Sequence, residues 1–395
     1  MLHRHTALLF LGTLLTALGY GATFLLTEHF RTLGGSELST GMTLAGAMVG
    51  TFLGVPLVGW FAQRLGAARM AALGALLLAL GYTGLARLVV VDGWTTLAGG
   101  LIGLGWGTFY LAAPLALSAR VTDQNRAFWF ARFGAFQMGG IGLSPIAATA
   151  LIRQLHFSTA MALHAVAIAC LVASALLLAF ESIAPRPSIA AAKANTGWLR
   201  ALPQLLATRA RYPIVMVGLG AGVFTGLMTF QTSLVRGTTL EASTYFAAYA
   251  MTVVLARLTL ASFLARVDSD RLAVVLLALM SLGVLVANFI ALGIAAQVAS
   301  AILLGLGYGL VYSVIQTQVV NDAPPELRHA ALTWFVLAYF VGIFGFPILC
   351  GWVIVHMGTA WSLALILALA LVELLLALLR KGAPARLLVP VRNAT

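Results

Sequence analysis

Apolar runs of about 20 residues, separated by short polar turns, recur along the whole chain. A helix needs about that many apolar residues to cross the hydrocarbon core of a bilayer. The pattern predicts spans near 6–28, 40–62, 70–90, 95–118, 128–152, 159–180, 212–235, 244–265, 272–292, 297–319, 330–355 and 358–379. The weakest boundary is between the ninth and tenth, where Gly293-Ile294-Ala295-Ala296 offers almost no polar turn. The longest break, 181–211, holds Pro185, Pro187 and Pro203 and an excess of basic residues. It reads as a linker, with a short amphipathic helix around Trp198–Leu206 lying on the membrane surface. The expected organisation is all-α integral membrane: twelve transmembrane helices in two pseudo-symmetric six-helix bundles, 1–180 and 212–380, with a tail at 381–395.

The two halves repeat. At an offset of about 202 residues, GLGWGTFY at 103–110 falls on GLGYGLVY at 305–312. At the same offset Arg64 meets Arg266, Arg69 meets Arg271, Arg126 meets Arg328, Gly140 meets Gly342 and Pro145 meets Pro347. One offset held across arginines and a proline points to duplication rather than to chance likeness of Leu/Ala/Gly-rich helices. Two related bundles suit alternating access, in which the halves rock about a site near the midplane.

Composition agrees with lipid as the solvent. The chain is 61% hydrophobic and 9% charged, against about 25% charged in soluble proteins. The net charge of +12 does not form a basic face for nucleic acid, because the arginines sit singly between apolar runs. Their distribution sets orientation instead. With both termini cytoplasmic, the opposite side carries only Arg31, Arg87, Arg153 and Arg236, and most other basic residues face the cytoplasm. The expected location is a cell membrane, of the bacterial inner-membrane kind. The first apolar stretch is too long for a signal-peptide core and reads as an uncleaved span. Cys170 and Cys350 lie in apolar runs and read as packing thiols, with no disulfide framework or metal spacing.

Polar residues at helical spacing mark candidate cavity faces. Span 1 carries Thr13, Thr16, Tyr20, Thr23 and Thr27; span 4, Trp106 and Tyr110; span 7, Thr225, Thr229 and Thr232 with Gln231 beside them; span 10, Tyr308, Tyr312 and Gln316. Gln137 is the polar side chain within span 5. In span 8, Arg257 shares a face with Tyr245 and Tyr249, roughly 13 Å from the span's end at 1.5 Å per residue. An intramembrane charge is costly and marks function by default, and a guanidinium matches carboxylate or phosphate geometry. Glu28 is the acid on span 1 and a candidate proton carrier, unless it pairs with Arg31 or His29. Glu373 in span 12 reads as structural.

With twelve spans, a 6+6 split and a central loop, the chain resembles the major facilitator superfamily. The loop after span 2, Gly59 to Arg69, carries the likeness: Gly59, Arg64, Gly66 and Arg69 fit the family pattern, with Gln63 where aspartate is expected. The resemblance implies that this loop gates the cytoplasmic side, with Asp123, Asp322 or Glu326 as substitutes for the missing acid. It also implies that spans 1, 4, 7 and 10 line the cavity. Gly134 to Pro145 in span 5 is similar to the glycine-rich stretch of proton-coupled exporters, though span 11 has a like arrangement at Gly342 and Pro347. Pro145 and Pro347 are accordingly candidate gating positions. The arginine that many antiporters carry in span 4 is absent.

The expected function is secondary active transport by alternating access: proton-coupled efflux, as an antiporter, of a small organic or amphipathic solute. The alternative is a transporter of an organic anion bound through Arg257. A membrane-embedded enzyme or receptor is disfavoured, since no acid pair, His/acid cluster, metal pattern or phosphate loop stands out. The expected partners are a small-molecule substrate, protons and the lipid bilayer, for a monomer with no cofactor.

Overall fold

The computed structural model describes residues 2–183, 198–260 and 267–382, side chains 2–4, 57, 59, 63, 123, 124 and 127 excepted. The elements are helical: α1 (Leu2–Gly21), α2 (Leu26–Thr32), α3 (Glu37–Leu65), α4 (Ala67–Ala86), α5 (Gly93–Ser118), α6 (Asp123–Gln154), α7 (Thr159–Ile183) and α8 (Trp198–Leu206). Then follow α9 (Arg211–Thr229), α10 (Gln231–Leu234), α11 (Ala242–Thr259), α12 (Ser269–Ala287), α13 (Ile294–Asp322), α14 (Arg328–Phe340), α15 (Phe346–Met357) and α16 (Thr359–Gly382).

Eleven stretches among the described residues are helices long and apolar enough to cross a membrane. The stretch expected as span 8 is α11, which carries Tyr245, Tyr249, Thr252 and Arg257 and is not among the eleven. The doubtful boundary between spans 9 and 10 is real: α12 ends at Ala287 and α13 begins at Ile294. Gly293 supplies the turn at φ 135°, a conformation L side chains avoid. In span 11 Pro347 removes a backbone donor, and the hydrogen-bond ladder widens to a π-turn over Val341–Gly345 before α15 begins. Pro145 leaves α6 continuous.

Lipid gives helices no hydrophobic reason to associate, so close backbone approach at small residues carries the packing. A Cβ on Gly103 of α5 would overlap the backbone of Ala47 on α3, and one on Gly74 of α4 would press on Gly105 and Phe109 of α5. The repeat uses the same contacts. Gly140 of α6 lies against the Leu14 carbonyl of α1, and its counterpart Gly342 lies against the Gly218 carbonyl of α9. Gly140, one glycine of the exporter-like stretch, thus makes a packing contact that Gly342 repeats in the other half. Glycine contacts also cross between the halves. Gly142 of α6 meets Ala250 of α11, and Gly41 of α3 meets Pro347 and Ile348 of α15.

The 202-residue offset also appears in space. The Thr27 hydroxyl donates to the Thr229 carbonyl at 3.1 Å, Arg31 Nη2 to Ser233 Oγ at 2.6 Å, and the Tyr110 hydroxyl to that of Tyr312 at 2.6 Å. Each pair is separated by 202 residues. A residue meets its own counterpart only on the axis relating the two copies, so these bonds trace that axis. A further repeat is reversed in charge. Arg120, just past the end of α5, bonds Glu181 of α7 at 2.9 Å, while Asp322, the counterpart of Arg120, receives Arg380 of α16 at 2.8 Å.

Replacing Gly103 by Val is expected to lower stability by about 2 kcal/mol or more, because α3 and α5 must separate. Gly139 meets nothing within 4 Å, so Gly139→Ala is expected to be neutral or to stabilise by up to about 1 kcal/mol. Unfolding of the detergent-solubilised protein checks both, and equal midpoints for the two variants contradict this packing account.

Candidate functional site: a tyrosine-lined central cavity with one deep arginine

A cavity of about 1490 Å³ lies between the two halves. At one end it reaches the loops, bordered by Arg64, Arg69, Arg120 and His329. At the other it stops at Tyr20, Phe224 and Tyr249. Six of the nine tyrosines line it: Tyr20, Tyr110, Tyr249, Tyr308, Tyr312 and Tyr339. Gln137, Arg257 and Gln316 do as well.

Arg257 is the deep cation. Its Nε and Nη2 donate to the Gly309 carbonyl at 3.0 and 2.9 Å, which fixes the guanidinium plane against α13. Gly134 of α6 faces the other side, where a Cβ would stand 3.1 Å from Nη1. No carboxylate pairs with Arg257 among the described residues. The lining holds Arg64, Arg69, Arg120 and Arg257 against one acid, Glu181, which Arg120 already engages. Such a cleft concentrates anions.

Several expected lining residues sit elsewhere. Trp106 is buried behind Tyr20, stacked on it at 4.7 Å. Tyr245 is buried between helices, its hydroxyl 3.3 Å from Ser300 Oγ. Gln231 is buried in α10, outside the lining. The threonine stripes of spans 1 and 7 do not line the cavity either. Thr16 bonds the Gly12 carbonyl, Thr23 that of Tyr20 and Thr225 that of Ala221, each at 2.7–2.9 Å. A threonine that satisfies itself on the preceding turn can pack in a helix interface with no aqueous partner. Glu28 is half-buried, outside the lining, and has no ionic partner among the described residues. Its two suggested partners are engaged elsewhere: Arg31 by Glu37, and His29 by Thr159 and the Leu85 carbonyl.

Tyr339 and Phe224 were not expected in the lining. Tyr339 is the counterpart of Gln137 at the repeat offset, and that correspondence is the signal that would have found it. Phe224 carried no polar mark.

Beyond the deep end the halves are sealed. Glu37, at the start of α3, accepts from Arg31, from Ser233 Oγ at 2.9 Å and from Arg236 at 2.9 Å. One carboxylate thus ties an arginine of its own half to two residues of the other. Arg153 and Glu241 pair across the halves nearby in sequence to α6 and α11. At the loop end, Arg64 stacks over Trp60 at 3.7 Å and Arg69 borders the mouth. The side chains of Gln63 and Asp123 lie outside those described. An acid that does reach this loop is Glu181, against Gly66. Asp322 is taken by Arg380, and Glu326 is exposed. Pro145 and Pro347 lie in α6 and α15, helices that contact the opposite half through Gly142–Ala250 and Gly41–Pro347.

The Major Facilitator Superfamily profile matches residues 9–347. The chain belongs to that family. No curated protein sequence matches it. Among solved structures it is similar to an auto-inhibited peptide transporter of the POT family, at 17% identity and TM-score 0.73, covering 99% of both chains. It is also similar to the nucleoside transporter NupG, at 18% identity and TM-score 0.76, covering 96% of this chain and 99% of that one. At these identities the likeness speaks for the fold. Family and fold make this superfamily member a multi-pass membrane transporter rather than an enzyme.

The seal generates a test. Glu37→Gln weakens two charge-assisted bonds, and the closed arrangement is expected to lose about 1.5 kcal/mol, roughly tenfold in the closed-to-open ratio. With Cys170 and Cys350 replaced by Ala, a Thr229→Cys reporter should react about tenfold faster with an impermeant maleimide when Glu37→Gln is added. An unchanged rate removes Glu37 from the latch.

Proposed function

We propose that this transporter carries an organic anion, bearing a carboxylate or phosphate, by alternating access of its two halves about the cavity, with Arg257 as the anion ligand. The observation that carries the reading is a buried-end guanidinium, oriented by Gly309 and without a carboxylate partner among the described residues, in a cavity whose other charges are mostly arginine. A cation left unpaired in a low-dielectric site is expensive unless a ligand answers it. Arginine rather than lysine suits the task, since its planar fork keeps donors free while two of them hold the backbone. Tyr110, Tyr308, Tyr312 and Tyr339, with Gln137 and Gln316, supply further hydrogen-bonding groups around the same space.

A second reading, proton coupling through Glu28, is favoured by the lack of an ionic partner for that half-buried acid beside the seal. The glycine run of span 5 argued for efflux; with Gly140 assigned to packing, direction follows the solute gradient and any coupled proton.

Accumulation in proteoliposomes of radiolabelled carboxylates and phosphate esters, set against neutral and cationic analogues of similar size, tests the main reading. Anions alone should accumulate, and Arg257→Ala should weaken them by about tenfold to a hundredfold. Arg257→Lys should recover only part, having the charge without the fork. Transport of neutral or cationic solutes that is indifferent to Arg257→Ala overturns it. A pH-sensitive dye inside the vesicles tests the coupling: solute-driven proton movement should vanish in Glu28→Gln.

A further inference from the structure

Aromatic rings form a continuous chain around the deep end of the cavity. Phe224 stacks on Tyr308 with centroids 4.5 Å apart and planes within 6°. Tyr20 stacks on Trp106 at 4.7 Å and 14°. Phe24 joins the two pairs, 5.7 Å from Tyr20 and 5.9 Å from Phe224. Trp106 continues to Tyr110 at 5.9 Å, and Tyr110 to Tyr339 at 5.4 Å. Of these rings Tyr20, Tyr110, Phe224, Tyr308 and Tyr339 face the cavity. Parallel stacks of this kind present flat faces and edges on which another flat ring gains about 0.5–1.5 kcal/mol per contact.

The hydroxyls add a second constraint. Tyr20 and Tyr249 are 1% and 4% exposed and both line the cavity, yet neither hydroxyl has a hydrogen-bond partner. Tyrosines buried away from the cavity are treated differently by the fold. The Tyr82 hydroxyl bonds the Gly19 carbonyl, and that of Tyr245 bonds Ser300. An unmet buried hydroxyl costs about 1–3 kcal/mol, so two of them on one cavity floor mark a place where a ligand's polar group would be answered. The indole nitrogen of Trp106, stacked behind Tyr20, is likewise unmet.

We infer that the anion held by Arg257 has a planar aromatic body with a second hydrogen-bonding group, and that Tyr20 and Tyr249 select for that group with their hydroxyls. The ligand class is a hydroxy- or amino-substituted aromatic carboxylate. This inference rests on the anion reading above and narrows it. Arg257 supplies the charge recognition, the stacked rings supply the preference for a flat body, and the two tyrosine hydroxyls distinguish a substituted ring from a bare one. A site whose polar groups are left unpaired by the bare ring discriminates against it more sharply than an apolar pocket does.

Calorimetric titration of the purified full-length protein with four probes separates these layers: 2-naphthoate, 6-hydroxy-2-naphthoate, decahydro-2-naphthoate and 2-naphthol. The hydroxylated naphthoate is expected to bind about fivefold to tenfold tighter than 2-naphthoate, and the saturated acid more weakly than either. Tyr20→Phe combined with Tyr249→Phe should erase the hydroxyl preference, so that the hydroxylated and bare naphthoates bind alike. Arg257→Ala should weaken every carboxylate by much more than it weakens 2-naphthol. If the saturated acid binds as well as 2-naphthoate, or the hydroxyl adds nothing in the wild type, this inference falls while the anion reading stands on its Arg257 dependence. If no carboxylate depends on Arg257, the anion reading falls and takes the inference with it. The wild-type probe series decides the point even where the double variant fails to fold.

Discussion

Backbone contact at glycine is the constraint on which the rest of this structure depends. Between helices in lipid there is little apolar surface to remove from water, so attraction comes from dispersion at short range and from hydrogen bonds. Gly103 against Ala47, Gly140 against Leu14 and Gly342 against Gly218 bring helices close enough for both. Close approach also fixes rotation: a helix locked through one glycine face presents a defined opposite face. On α6 the glycines meet α1 and α11 while Gln137 lines the cavity. Packing therefore determines which side chains the cavity receives.

The cavity shows how unevenly the chain distributes polarity. The hydroxyls of Thr16, Thr23 and Thr225 in the helix interfaces are satisfied within one turn, whereas those of Thr13, Thr229 and Thr232 are buried without a partner. Tyrosines and one arginine are placed where the interfaces part. Tyrosine suits that position because its ring packs like an apolar side chain and its hydroxyl reaches the open space. Arg257 differs in kind. Its guanidinium is desolvated by the surrounding rings and anchored by a single carbonyl, an arrangement that retains charge without spending it on an internal ion pair. Elsewhere buried arginines do meet acids, as with Arg120 and Glu181 or Arg380 and Asp322, although the buried carboxyl of Glu373 has no hydrogen-bond partner. The contrast within one molecule is what gives the unpaired arginine its meaning.

Most of the span pattern and the linker helix Trp198–Leu206 were legible because membrane helices write their length in apolar runs, and the 202-residue offset because a repeat writes itself twice. Even the doubtful turn at Gly293 was marked by a glycine that the backbone then uses at positive φ. The cavity was only partly legible. Helical spacing placed Tyr20, Tyr110, Tyr249, Arg257, Tyr308, Tyr312 and Gln316 on lining faces, but the same spacing brought in Trp106, Tyr245, Gln231 and the threonines. Spacing reports a face and not what that face meets. Tyr245 and Tyr249 are one turn apart on α11, and the first packs on Ser300 while the second reaches the cavity. The seal was illegible for a related reason. Glu28 drew attention because it lies within a span, whereas Glu37, at a helix start, joins nearby Arg31 to Ser233 and Arg236, which are distant in sequence.

The axis marked by equivalent pairs connects the seal to the cavity. Thr27–Thr229 and Arg31–Ser233 lie in the seal, and Tyr110–Tyr312 lies on the cavity wall. Bonds on an axis between two rocking bodies are where opening begins, because residues there separate symmetrically. The seal bonds engage polar and ionic groups, and Arg236 is 60% exposed, so water can replace much of what is lost when they part. The Tyr110–Tyr312 bond is surrounded by aromatic rings. Breaking it without a substitute leaves hydroxyls unmet in an apolar setting, and a ligand with polar groups is a substitute that water at the seal is not. Ligand occupancy then changes the cost of motion at the cavity more than at the seal. That inequality is what a transporter needs if the empty and loaded forms are to differ in how readily they turn over.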